Sequence, residues 1–239
     1  MKIPVIKGII DRRILINFTV DPNIVSKIIP KPFKPKLYQG QAIVGVCLIR
    51  LKKIRPKGLP GLISLSSENG AHRIAVEWIE NGETKDGVFI PRRDTSSFLN
   101  SLVGGRIFPG RHFHANFDVK EKNGHYNIAF KSSDGTTLAI EAEKTYEFNP
   151  DSIFCNIANA STFFESGSVG YSPIGDKFEG LKLKTSNWKV EPLKLTSLQS
   201  SFFENEEIFP KGSIHFDNAL LMTEIKHEWR SVGEKSQFT

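Results

Sequence analysis

Three dipeptides, Asn81-Gly82, Asn123-Gly124 and Asp134-Gly135, each separate two runs that alternate apolar and polar side chains. Such pairs supply the positive-φ residues of a tight hairpin turn, so each predicts two antiparallel strands joined without a crossover. Ala71 to Ile79 then pairs with Thr84 to Ile90, and Arg111 to Glu121 with His125 to Ser132, with Thr136 to Phe148 as the third strand of a meander. A chain punctuated in this way builds its core from sheet.

The remaining segments agree. Ile14, Ile16, Phe18 and Val20 fall on one face and Arg13, Asn17 and Thr19 on the other, the pattern of a half-buried strand. Asp21 then caps a short helix with Pro22 at its first position and Ile24, Val25, Ile28 and Ile29 as its apolar side. Gln41 to Ile54, Leu181 to Val190, Leu193 to Phe202 and Ser213 to Trp229 read as strands, the last long enough to bend or carry a bulge. Two more helices are expected, Asp94 to Val103 closed by Gly104 and Gly105, and Asp151 to Glu165 closed by Gly167, while Gly167 to Gly180 reads as a loop. The expected fold class is mainly β: an antiparallel, closed or nearly closed β-barrel with a few short helices, one domain over residues 1–239.

Composition narrows the function classes. With 39% hydrophobic and 24% charged residues the chain can bury and cover a sizeable core. The net charge of +6 biases it toward anionic partners, but the densest basic stretch, from Lys31 to Lys57, is interleaved with prolines and reads as a solvated surface. Nucleic acid and membrane are therefore not expected partners. Cys47 and Cys155 cannot form a disulfide framework, and each lies in an apolar context without a basic neighbour in sequence, which fits a cytoplasmic protein with inert thiols. Pro4, Lys7 and Asp11 interrupt the first thirteen residues, so no signal-peptide core is expected, and no charge-free stretch is long enough to span a membrane.

The chemistry concentrates in two places. Arg111 to Asp118 alternates strictly, placing His112, His114, Asn116 and Asp118 on one face and Phe113, Ala115 and Phe117 on the other. If the polar face lines a lumen, His112 and His114 are candidate proton carriers; if the aromatic face alone is buried, they are merely solvated. A His-x-His pair also suits zinc, but no spaced third ligand accompanies it, and neither metal nor cofactor is expected. The second place is the strand-to-helix junction Ile90 to Ser97, where Arg92, Arg93 and Asp94 either bind an anion or form a capped helix with surface arginines. Glu68 and Arg73 add charge nearby, Arg73 sharing a face with Glu77, where the two either pair across the pleat or serve a site. His72, in step with Ile74, Val76 and Trp78, reads as a buried, hydrogen-bonded side chain.

Gly87 to Pro91, leading through to Gly104, Gly105, Arg106, Ile107, Phe108, Pro109 and Gly110, resembles the acetoacetate decarboxylase-like superfamily. The wording Ser66 to Asn69, His72 to Trp78, Pro91 to Ser97, Phe163 to Glu165 and Gly170 to Ser172 is similar to the YqjF-like family of unknown function within it. The resemblance implies a β-barrel or cone with an internal cavity, and a homo-oligomer. Decarboxylases of the superfamily use a cavity lysine as an imine-forming nucleophile. Here Pro109 is followed by Gly110, Arg111, His112, Phe113 and His114, with no lysine before Lys120.

The reading is a polar cavity that binds a small anionic or carbonyl-bearing metabolite through Arg92, Arg93, Arg106, Asp94, Glu68 and Arg73. His112 and His114 would carry lyase-like or isomerase-like proton transfer in it. The rivals are a non-catalytic binding or sensing module, and an oligomeric scaffold whose histidine face is only wet.

Overall fold

The structure is a computed structural model that describes residues 5–60, 64–97 and 110–236. Its thirteen strands belong to one sheet: β1 (Ile6–Val20), β2 (Lys34–Pro35), β3 (Leu37–Tyr38), β4 (Gln41–Pro56), β5 (Leu65–Glu80), β6 (Glu83–Thr95), β7 (His112–Lys122), β8 (His125–Ser132), β9 (Thr137–Lys144), β10 (Val169–Ile174), β11 (Lys177–Thr185), β12 (Glu191–Ser200) and β13 (Ile214–Ser236). The two helices among the described residues are α1 (Pro22–Ile28) and α2 (Ile157–Ser166).

The expected hairpins form. Asn81 and Gly82 take φ values of 53° and 79°, and Asn123 and Gly124 take 52° and 80°, the double positive φ that joins β5 to β6 and β7 to β8. Pairing then closes the sheet on itself. β6, β7, β8, β9, β12, β13, β1, β4 and β5 form a ring of nine strands, because β6 also pairs with β5. A second, smaller ring runs β11, β10, β6, β5, β4, β1 and β13, closed by the pairing of β11 with β13. The two rings share the wall β13, β1, β4, β5 and β6.

A shared wall has no solvent face. Ile14, Ile16, Phe18 and Val20 of β1 join a core cluster that draws on all nine strands of the larger ring. Ile6, Ile10 and Leu15 join a second cluster with Cys47, Ala71, Leu181 and the α2 residues Phe163 and Phe164. The half-buried strand expected from alternation is therefore buried on both faces, and Asn17, placed on the polar side, is fully buried and hydrogen-bonded to Asn218 at 2.7 Å.

Non-local pairing also changes three expected elements. Two joints in the sheet are parallel: β6 with β7 through Arg93↔His112 and Thr95↔His114, and β10 with β6 through Gly170↔Val88 and Tyr171↔Phe89. Asp94 does not cap a helix but lies inside β6; the body of the expected helix, 98–103, lies outside the described residues. The segment expected as a loop, Gly167 to Gly180, holds β10, drawn into strand by its ladder with β11. The second helix starts at Ile157 with Asn156 as its cap, accepting from Asn159 N at 2.9 Å, rather than at Asp151.

The bulge foreseen in the last strand is at Asp217, which falls between the pairs Phe18↔Phe216 and Asn17↔Asn218 and has no partner on β1. Its carboxylate accepts from Ser152 Oγ at 2.7 Å and Ile153 N at 2.9 Å, tying the approach to α2 to the shared wall. α1 is as expected, with the Asp21 carboxylate accepting from Asn23 N at 2.7 Å and Val25 fully buried.

Candidate functional site

Inside the smaller ring, on the side of the second core cluster, lies a cavity of about 120 Å³. All seven strands of the ring reach it, and His112 of β7 enters from the parallel joint. Its walls are mostly apolar, including Ile10, Leu51, Val88, Ile90 and Leu181, so it is less polar than the sequence suggested. The polar exceptions are Arg13, Arg73, Arg93 and His112 together with Cys47, Asn69, Asp94 and Ser168.

Register explains how they meet. Leu15, Cys47, Ala71, Arg93 and His112 are successive partners across β1, β4, β5, β6 and β7, one cross-strand row along the inner face. Ala71 in the middle of that row is small enough to leave room beside it. Arg13 and Arg73 flank the row, two positions along their strands from Leu15 and Ala71.

The guanidiniums of Arg93 and Arg73 are held in an environment that penalises charge. Burial pulls Arg93 down to about 10 and lowers Arg73 as well. Arg93 Nη2 donates to Ser172 Oγ at 3.3 Å, and Arg73 donates to the buried Asn17 side chain while its guanidinium stands 4.9 Å from the Phe164 ring. Among the described residues, Arg73 Nε, Arg13 Nε and Arg13 Nη1 are buried without a hydrogen-bond partner. A buried donor left unmatched costs about 1–3 kcal/mol, more when charged, so these groups favour an acceptor in the cavity. Cys47 answers to the same field. Burial alone would raise its thiol, but the charges and hydrogen bonds of Arg73 and Arg13 outweigh burial and hold it below its ordinary value. Arg13 Nη2 lies 3.6 Å from Cys47 Sγ.

The structure divides the residues proposed from sequence. Arg73, Arg93 and His112 line the cavity, as does Asp94. His114, opposite Thr95, is half-buried but not among the lining residues, while Asn116 and Asp118 on the same face are exposed. Arg92 is on the other side of β6, where it pairs with Asp94 at 2.6 Å and Asp134 at 2.5 Å and stacks 4.0 Å over Phe113. Asp94 also accepts from Ser132 Oγ at 2.5 Å; burial raises its carboxyl against the pull of Arg92 and Ser132. Glu68 is not in the cavity but in a separate ionic cluster with Arg12, at 2.5 Å, and Arg50. Arg106 lies outside the described residues. Arg73 is not paired with Glu77, which lies four residues, roughly 13 Å, along the extended strand; its guanidinium donates instead to Asn17 on β1.

Sequence reasoning passed over Arg13 and Cys47. Cys47 has no basic neighbour in the chain but gains two through strand pairing, which no local pattern displays. His72 is buried as expected, yet neither ring nitrogen has a hydrogen-bond partner among the described residues; Nδ1 stands 3.6 Å from Asp94, and burial followed by Arg92 lowers its pKa to about 3.

The fold has solved relatives. The acetoacetate decarboxylase of Legionella pneumophila superposes with a TM-score of 0.60 at 12% identity, covering 96% of this chain and 87% of that one. An acetoacetate decarboxylase-like enzyme from Sphingomonas wittichii RW1 gives 0.58 at 11% identity, over 99% and 94%. The enduracididine biosynthesis enzyme MppR, complexed with pyruvate, gives 0.53 at 10% identity, over 98% and 89%. At these identities the likeness establishes a common fold. No curated protein sequence matches the chain. A family model matches residues 10–220, and by that match the chain belongs to the DUF2071 family of uncharacterized conserved proteins.

Proposed function

We propose that this chain is a one-domain cytoplasmic protein of the YqjF-like branch that binds a small carboxylate, of the oxo-acid class, in the cavity of the smaller ring. Arg13, Arg73 and Arg93 are its anion-binding groups, and His112 is the side chain available for proton transfer to a bound carbonyl. The observation that carries the reading is that three arginines line one mostly apolar cavity, with buried N–H groups of Arg13 and Arg73 lacking a hydrogen-bond acceptor among the described residues. The Asp94 carboxylate is held by Arg92 and Ser132 on the other side of β6.

Size limits the ligand. A cavity of about 150 Å³ holds a benzene ring, so about 120 Å³ suits a molecule of roughly six heavy atoms or fewer. Among the described residues no lysine lines the cavity, which argues against imine chemistry. The likeness to MppR, solved with pyruvate, supports the same ligand class. Nucleic acid and membranes are not partners in this reading, and no helix among the described residues is long and apolar enough to cross a membrane.

Thermal unfolding with acetate, glyoxylate, pyruvate, acetoacetate and the neutral isostere acetamide tests the proposal. A carboxylate at 100 times its Kd adds about 2.7 kcal/mol, and acetamide adds nothing comparable. Equal responses to acetate and acetamide, or none to any carboxylate, overturn it.

A further inference from the structure

Cys47 is a nucleophilic atom in the cavity wall that anion binding does not use. Its sulfur faces the cavity from the middle strand of the shared wall, in the same cross-strand row as Arg93 and His112. Arg13 Nη2 approaches it to 3.6 Å, and Arg73 reaches it from β5. Arg73 is only 5% exposed, and its Nε, like Arg13 Nε and Nη1, has no partner among the described residues. Two guanidiniums around one sulfur, that of Arg73 buried and that of Arg13 half-buried, stabilise the thiolate, the form that attacks electrophiles. Cys155 provides the contrast: it is exposed, with Gln39 Nε2 at 3.9 Å and the Ile153 carbonyl as its neighbours.

We propose that Cys47 is a covalent binding residue whose thiolate adds reversibly to the carbonyl carbon of an oxo acid held in the cavity. The inference rests on the carboxylate-binding reading and deepens it. A sulfur lone pair forms the S–C bond, the carbonyl π bond breaks, and its electron pair moves to oxygen, which takes up one proton from solvent. The product is a hemithioacetal from an aldehyde or a hemithioketal from a ketone. No oxidant, reductant or leaving group takes part, and the reverse step restores both partners. The guanidiniums serve both states, holding the free thiolate before addition and donating to the ligand's carboxylate and new hydroxyl oxygen after it.

The test uses the full chain carrying Cys155→Ser, in which Cys47 is the remaining thiol. Iodoacetate and iodoacetamide are compared at Cys47 by peptide mass spectrometry. A basic cavity concentrates the anionic reagent, so iodoacetate is expected to react about tenfold faster, the reverse of the order for a free thiol in water. Glyoxylate should slow that alkylation. Carbon-13-labelled glyoxylate should also give a tetrahedral carbon signal at protein linewidth, distinct from its hydrate. The signal should vanish in Cys47→Ser and in Cys155→Ser protein blocked beforehand with iodoacetamide; the blocked protein keeps the test valid if the serine variant fails to fold. Protection without the signal overturns covalent addition while leaving carboxylate binding in place. A signal that persists in blocked protein also overturns it. Absence of protection by glyoxylate, with iodoacetamide reacting as fast as iodoacetate, overturns both.

Discussion

Arg13 Nη2 stands 3.6 Å from the sulfur of Cys47, although across the β1–β4 ladder Arg13 faces Ile49 and Cys47 faces Leu15. The contact is diagonal, made possible by the reach of a long side chain over the two-residue repeat of a pleated strand. Removing the guanidinium while keeping an unbranched stem should therefore release the thiol. In a Cys155→Ser background, Arg13→Met is expected to raise the Cys47 pKa, because burial still opposes the thiolate and Arg73 alone counters it. Ultraviolet absorbance of the thiolate against pH measures the shift, and an unchanged midpoint would show that Arg13 does not act on the sulfur.

Arg92 and Arg93 are neighbours in sequence with opposite roles. Arg93→Lys keeps the charge but loses the planar fork, so carboxylate affinity should fall by about 1.5–3 kcal/mol at nearly constant melting temperature. Arg92→Ala leaves Asp94 buried and unpaired and should cost about 3–5 kcal/mol of stability. Ligand titration with acetate and urea denaturation on both variants separate the two roles; loss of affinity from the conservative Arg92→Lys change instead would reverse the assignment.

Two buried imidazoles make stability pH-dependent. Desolvation lowers His72 to about 3 and His227 to about 4, whereas both titrate near 6.5 when unfolded. Between about pH 6 and pH 4 the unfolded chain binds these protons and the folded chain does not. The stabilisation from neutral burial is thus full above about 6.5 and is lost as pH falls toward 3–4. His72→Phe fits the aromatic cluster that already places Phe202 4.2 Å from the imidazole, and should reduce the slope of unfolding free energy by up to about 1.4 kcal/mol per pH unit. Denaturant melts at a series of pH values check it; a slope equal to wild type would place the His72 proton elsewhere.

Gly87 sits where β10 meets β6. A Cβ there would come within 2.5 Å of the Val169 carbonyl oxygen, a backbone atom that cannot swing aside. Gly87→Ala should push β10 from β6, lower stability by about 1–3 kcal/mol and weaken acetate binding together with it. Retention of both, measured by urea denaturation and thermal shift, would mean that the parallel joint does not hold the cavity closed.

What sequence made legible was what local chemistry decides. Asn81-Gly82 and Asn123-Gly124 define their hairpins because the turn conformation belongs to those residues alone, and Asp21-Pro22 starts α1 for the same reason. The parallel joints were hidden, since nothing in Val88 or Gly170 announces a partner eighty residues away. Asp94-Thr95-Ser96 carries the signature of a helix cap, but Arg92 and Ser132 engage the Asp94 carboxylate in a strand instead. In the site, Arg73, Arg93 and His112 were named from charge and alternation, and all three line the cavity. Arg13 and Cys47 were missed because their relationship exists only after β1, β4 and β5 pair.

The closure of the smaller ring is uneven around its circumference. β1 meets β4 and β13 along most of its length, whereas β10 is stitched to β6 by two register pairs, Gly170↔Val88 and Tyr171↔Phe89. Local opening free energy follows the number of cooperating ladder contacts, so this short seam should part before any other edge of the ring. A cavity whose wall unzips along one seam admits and releases a small ligand without disturbing the five-strand wall, and the rate of that breathing, not the depth of the pocket, then sets how fast the site exchanges with solvent.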